Sequence, residues 1–97
     1  MYLIVIDILS LLVLKNNLLY IPIKLMKIIS WNTNGLRATV KQGHFEPLFK
    51  KYKPDIVCLQ ETKATPEQLT EETKNIPGYY SYFSHPELKK GYSGVAI

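Results

Sequence analysis

Two apolar runs of strand length, "KIISW" (Lys27–Trp31) and "IVCLQ" (Ile56–Gln60), restrict this chain more than anything else in it. Between them, "HFEPLFKKYK" places Phe45, Leu48, Phe49 and Tyr52 at i, i+3, i+4 and i+7. That spacing is one apolar face of a helix, with Lys50, Lys51 and Lys53 mainly off it. Pro47 fits the first turn of such a helix. Strand, helix, strand is a β-α-β unit, whose two strands run parallel and whose crossover is right-handed in nearly every case. "IVCLQ" shows no polar alternation, the pattern of a strand buried on both faces.

Parallel neighbours deliver their carboxyl ends to the same edge of a sheet. "NTNG" (Asn32–Gly35) and "ETK" (Glu61–Lys63) therefore emerge side by side, although about 30 residues separate them along the chain. Crevices outside strand carboxyl ends are where α/β sheets bind ligands. Glu61 is a carboxylate at the end of an apolar strand, and Mg²⁺ favours one or two carboxylates completed by waters and phosphate oxygens over a full protein cage. Asn32 and Asn34 offer amide oxygens to a metal or NH₂ donors to a water. Lys63, two residues after Glu61, brings positive charge to a phosphate, and the planar fork of Arg37 suits phosphate oxygens. Taken singly, these residues have plain alternatives: "NTNG" as a turn, "ETK" as a solvated loop, Trp31 as a cap on the core. The residues by themselves leave both readings open.

Downstream, "TPEQ" predicts a second helix with Thr65 as N-cap, Pro66 at the first helical position and Gln68 closing a capping box. "NIPGYY" ends it, "YYSYFS" is strand-like, "HPELKKG" is a polar loop and "GVAI" begins another strand. With 97 residues there is room for one small domain. Twelve basic against eight acidic residues give +4, a mild bias that suits a polyanionic partner or ordinary solubility. The single cysteine, Cys58, excludes an internal disulfide and reads as a core thiol in a reducing compartment. His44 and His85 belong to no motif and read as ordinary helix or loop histidines.

Residues 1–25 differ from the rest: 18 of these 25 are apolar, yet Asp7, Lys15 and Pro22 interrupt them. Only seven residues separate Asp7 from Lys15, far short of the roughly 20 apolar residues of a membrane span. Neither a positive leader nor a small-residue cleavage site is visible. The expectation is a division into an apolar extension, 1–25, outside the domain, and a domain portion, 26–97, with Met26 as the natural start. An interfacial anchor formed by the extension is the alternative.

"KIISWNTNGLRA", "KPDIVCLQETK" and "GYSGVAI" together resemble successive opening motifs of the exonuclease III type apurinic/apyrimidinic endonucleases, in the endonuclease/exonuclease/phosphatase superfamily. "LQETK" occurs loosely across the superfamily, whereas "WNTNGLRA" with "GYSG" is more specific to its DNA-repair branch. The resemblance covers residues 26–97 and implies the amino-terminal part of a four-layer α/β sandwich of the DNase I-like kind. It also implies Mg²⁺-dependent cleavage of the DNA backbone 5′ to an abasic site in base excision repair, with 3′ to 5′ exonuclease activity and Mn²⁺ as an alternative metal. Carried over, Glu61 and Asn34 lie at the metal, Asn32, Asn34 and Lys63 in the catalytic floor, and Arg37, Ala38 and Tyr92 on the DNA.

The implied partner is double-stranded DNA with abasic sites, bound by a cytoplasmic monomer with no membrane or protein partner. The family's later elements, including its catalytic Asp and essential His, would fall beyond residue 97. A chain ending at Ile97 is accordingly expected to lack a general base, to leave DNA uncut, and to fold poorly alone, since half a sandwich leaves a sheet face open. Rival readings are a superfamily phosphatase fragment and a non-catalytic remnant that binds DNA weakly.

Overall fold

The computed structural model describes residues 3–11, 22–87 and 91–97. Its elements are β1 (Leu3–Leu11), β2 (Pro22–Asn32), α1 (Leu36–Lys41), α2 (Phe45–Tyr52), β3 (Ile56–Gln60), α3 (Glu71–Lys74), β4 (Phe83–Ser84) and β5 (Val95–Ala96). The strands form a mixed sheet in the order β1-β2-β3-β5-β4. β2 and β3 are parallel, with Ile28 opposite Ile56 and Asn32 opposite Gln60, as the β-α-β pattern requires. Asp55 fixes this register at its start. Its N–H donates to the Lys27 carbonyl at 2.8 Å, and its Oδ2 accepts from the Lys27 N–H at 2.8 Å.

β2 begins upstream of "KIISW", at Pro22, and β1 pairs antiparallel with it, Leu3 lying opposite Trp31. Part of the amino-terminal extension thus supplies an edge strand; its residues 1–2 and 12–21 lie outside the described residues, as do 88–90 of the polar loop. β5 inserts between β3 and β4, antiparallel to both, so Ala96 faces Leu59 on one side and Phe83 on the other. "YYSYFS" is strand only at its end, although Tyr82 and Ile97 exchange backbone hydrogen bonds at 2.8 and 2.9 Å.

Alternation decides which side of the sheet is core. Ile29 and Trp31 from β2 and Val57 and Leu59 from β3 are buried with Leu36 of α1, Phe45 and Leu48 of α2, Ala64, Leu69 and Ala96. Full burial of each large aliphatic residue contributes about 1.5–3 kcal/mol. Phe49 completes the helical contact edge-to-face, its ring 5.2 Å from Phe45 and 5.1 Å from Tyr79. The other face of β3 is open. Ile56 is exposed and Cys58 only half-buried. This corrects two expectations, a β3 buried on both faces and a Cys58 enclosed in the core: a continuous apolar run does not reveal which of its faces finds a cover. The described residues build one sheet with one helical layer, which is the mixed α/β part of the expected sandwich.

Helix α2 matches its pattern, with Phe45 and Leu48 buried and Pro47 in the first turn. The helix expected from "TPEQ" is instead divided. Gln68 Oε1 accepts from the Thr65 N–H at 3.0 Å, and the capping box forms as the sequence predicts. Pro66–Gln68 makes only a single 3₁₀ turn, because Leu69 turns extended and goes into the core. α3 then restarts from its own N-cap, Thr70, whose hydroxyl accepts from the Thr73 N–H at 3.3 Å.

Within α3, Lys74 Nζ lies 2.8 Å from Glu71. That hydrogen bond, its charge and a further bond from Asn75 hold the Glu71 carboxyl below its ordinary 4.5. A lowered folded-state value means that the support is whole above the ordinary value and is lost as pH falls through the lower one. Protection of the α3 amides from hydrogen exchange is therefore expected to fall at acid pH below 4.5. Lys74→Ala should weaken this pH dependence and leave the smaller part that Asn75 supplies, measured by exchange NMR.

Candidate active site

Where β2 and β3 end, the two loops continue to zip together. The Thr33 N–H donates to the Gln60 carbonyl at 2.9 Å, the Gly35 N–H to that of Glu61 at 2.8 Å and the Leu36 N–H to that of Thr62 at 2.9 Å. A third segment joins from the carboxyl-terminal side: the Thr62 N–H donates to the Gly94 carbonyl at 3.1 Å and the Lys63 N–H to the Ser93 carbonyl at 2.7 Å. Alternation along "ETK" sends Thr62 inward, where it is buried, and leaves Glu61 and Lys63 outside. Both outer residues take the left-handed backbone, φ 49° and 51°, as does Asn34 at 47°.

The side chains meet on this platform. Lys63 Nζ donates to Asn34 Oδ1 at 2.6 Å and stands 4.0 Å from Glu61 Oε2. Asn32 Oδ1 accepts from the Asn34 N–H at 3.0 Å, which sets the turn that presents Asn34. Asn32, Asn34, Glu61 and Lys63 therefore share one corner, as the parallel pairing predicts. Arg37, on the first turn of α1, donates from Nη2 to the Lys63 carbonyl at 3.2 Å. Its guanidinium lies over the backbone of the "ETK" loop. Ala38 is exposed on the same helix, and Tyr92 is exposed in the segment whose neighbours, Ser93 and Gly94, hydrogen-bond to that loop. Trp31 is a core residue.

One exposed carboxylate flanked by carboxamides and a lysine suits a hard, largely hydrated cation and not a protein cage. Among the described residues no group of three His, Cys, Asp or Glu is gathered. Glu61 fits as the anchoring ligand, and Asn34 Oδ1, one of whose lone pairs faces Lys63, has a second lone pair to offer beside it.

The residues that hold this corner in shape lie within or beside the motifs, but the sequence alone assigns a role to none of them. Thr33, Thr39 and Thr62 are all almost fully buried. Thr39 Oγ1 lies 3.1 Å from the Thr33 carbonyl and 3.0 Å from that of Gly35. Nothing local singles these threonines out in the sequence, since each depends on partners brought by other segments.

One carboxylate, two carboxamides and two cations are thus gathered at the β-α-β edge of a mixed α/β fold. The chain belongs to the Endonuclease/Exonuclease/phosphatase family, whose model matches residues 29–97. Among curated relatives, it is 52% identical over 71 residues to the DNA-(apurinic or apyrimidinic site) endonuclease 2 of Xenopus laevis, a match covering 73% of this chain and 13% of that protein. It is 43% identical over 72 residues to the exodeoxyribonuclease of Bacillus subtilis, covering 74% and 27%. The catalytic domain of Xenopus laevis APE2 superposes with a TM-score of 0.61 at 48% identity, over 73% of this chain and 22% of that one. A 3′-5′ exonuclease of Neisseria meningitidis superposes at 0.59 with 32% identity, over 73% and 26%. The chain thus spans about a quarter or less of the length of these relatives. The resemblance read from the three motifs stands, and the relatives it points to are abasic-site endonucleases and exodeoxyribonucleases.

Proposed function

We propose that residues 26–97 form the metal- and phosphate-binding floor of a DNA-repair phosphodiesterase that cleaves the backbone 5′ to abasic sites and carries some 3′ to 5′ exonuclease activity. The observation that carries this reading is the convergence of Asn34, Glu61 and Lys63 within hydrogen-bonding or ion-pair distance at the carboxyl edge of two parallel strands. Glu61, with Asn34 beside it, holds Mg²⁺ or Mn²⁺; the bound ion supplies Lewis-acid charge to phosphate oxygens. Lys63 adds a positive charge to the same phosphate, and Asn32 keeps Asn34 turned toward it. Arg37, Ala38 and Tyr92 line the approach of double-stranded DNA. The protein works as a cytoplasmic monomer, and residues 1–25 stand outside its catalytic floor, although Leu3–Leu11 pair with its sheet. No helix among the described residues is long and apolar enough to cross a membrane.

Nicking assays test the substrate class. The intact protein is expected to cut a duplex with one abasic site in Mg²⁺ and to spare phospholipid and inositol phosphate substrates. Cleavage of those phosphomonoesters or lipids in place of DNA would overturn the reading. The 97 residues alone are expected to give no nicks; robust cleavage by them that is lost in Glu61→Ala would overturn that expectation.

A further inference from the structure

The platform under the site is fastened by hydroxyl groups, and one of them sits where Glu61 is shaped. Thr33 is almost fully buried, and a buried hydroxyl without a partner is costly. Its Oγ1 lies 3.1 Å from the Gln60 carbonyl oxygen and 3.1 Å from that of Glu61. The Glu61 carbonyl also receives the Gly35 N–H at 2.8 Å. Glu61 has φ 49°, a left-handed backbone that costs a non-glycine residue of order 1–3 kcal/mol and persists only where its surroundings over-determine it. The Gln60 and Glu61 carbonyls belong to the peptide planes before and after the Glu61 Cα, so holding both fixes the direction in which the Glu61 side chain leaves the loop. Thr39 secures Thr33 in turn, through the hydroxyl 3.1 Å from the Thr33 carbonyl.

We propose that Thr33 is a positioning residue: its hydroxyl, bridging the carbonyls of Gln60 and Glu61, holds Glu61 left-handed so that its carboxylate faces Asn34 and Lys63, and the divalent-cation affinity of the site depends on that bond. The inference rests on the reading above that Glu61 binds a divalent cation. A threonine serving only to fill space would behave in the opposite way on substitution. Valine keeps its shape and loses the hydroxyl, whereas serine keeps the hydroxyl and loses the methyl. Space-filling is preserved in Thr33→Val and harmed in Thr33→Ser; positioning is harmed in Thr33→Val and preserved in Thr33→Ser.

The test is made on the intact protein with two readouts besides activity: Mn²⁺ affinity by electron paramagnetic resonance, and amide hydrogen exchange at Gly35 compared with the β2–β3 ladder. Thr33→Val is expected to weaken Mn²⁺ binding about tenfold and speed Gly35 exchange about tenfold, the ladder unchanged, in line with the effect of losing a group that orients a metal ligand. Thr33→Ser should stay within about twofold of the parent in both. Unchanged Mn²⁺ affinity in Thr33→Val, with loss in Glu61→Gln, would overturn the inference and leave the cation reading standing. Mn²⁺ binding untouched by Glu61→Gln would remove that reading and the inference together. If Thr33→Val fails to fold, Thr33→Ser decides alone: retained Mn²⁺ affinity with slow Gly35 exchange supports positioning, and a tenfold loss in affinity overturns it.

Discussion

Replacing Glu61 by Gln in the intact protein is expected to lower Mg²⁺-dependent cleavage of an abasic duplex by more than about a hundredfold, with the fold undisturbed. The side chain is roughly half exposed and Gln keeps its shape, so its carboxylate charge is nearly all that the substitution removes. Surface changes of that kind cost about 0.5 kcal/mol or less in stability. Lys63 keeps its hydrogen bond to Asn34 in the variant, because that bond does not involve Glu61. Circular dichroism and the thermal midpoint should match the parent while steady-state nicking collapses. The loss should lie in kcat at saturating Mg²⁺ and grow as Mg²⁺ is lowered. Cleavage within about threefold of the parent at all Mg²⁺ concentrations would exclude Glu61 as a metal ligand.

Gly94→Ala carries the second large effect, this time on folding. Gly94 sits at φ 94°, a conformation L residues rarely adopt, and a Cβ there would fall 2.5 Å from Thr62 Oγ1 and 3.5 Å from the Ser84 carbonyl oxygen. Thr62 is buried and its N–H is tied to the Gly94 carbonyl, so neither partner is free to retreat. Backbone strain and overpacking together make a loss of about 2–4 kcal/mol the expected result, read as a lowered denaturant midpoint at unchanged slope. The two causes separate in a double-mutant cycle. Thr62→Ala added to Gly94→Ala removes the atom that is struck but not the backbone strain, so it should recover only part of the loss. A cost below about 1 kcal/mol for Gly94→Ala would mean that the 91–94 segment does not close on the "ETK" loop as described.

What could be read along the chain was whatever depends on near neighbours. The i, i+3, i+4, i+7 spacing of Phe45, Leu48, Phe49 and Tyr52 located α2, and the two apolar runs located the parallel pair and hence the meeting of Asn34, Glu61 and Lys63. Helix α1 escaped notice because it is six residues long and includes Thr39 and Val40, which are weak helix formers. Burial of Leu36 and the long-range bonds of its first residues hold it, and those partners lie in the loop after β3. The break at Leu69 has the same origin, since a core position is decided by the other segments around it. Cys58 and the buried threonines are further cases: the residue type permits core or surface, and only the assembled sheet chooses.

Trp31 gives the molecule a built-in optical gauge. It is the only tryptophan of the chain, it is almost fully buried, and it immediately precedes Asn32 at the mouth of the site. Its side chain packs in the core, while its backbone pairs in register with Leu59, two residues before Glu61. Emission excited at the indole of this chain therefore comes from one place, the seam between the hydrophobic interior and the floor of the candidate site. Loosening of that seam would let water reach the ring and move the emission to longer wavelength. The same light thus reports whether the floor is assembled, with no label added.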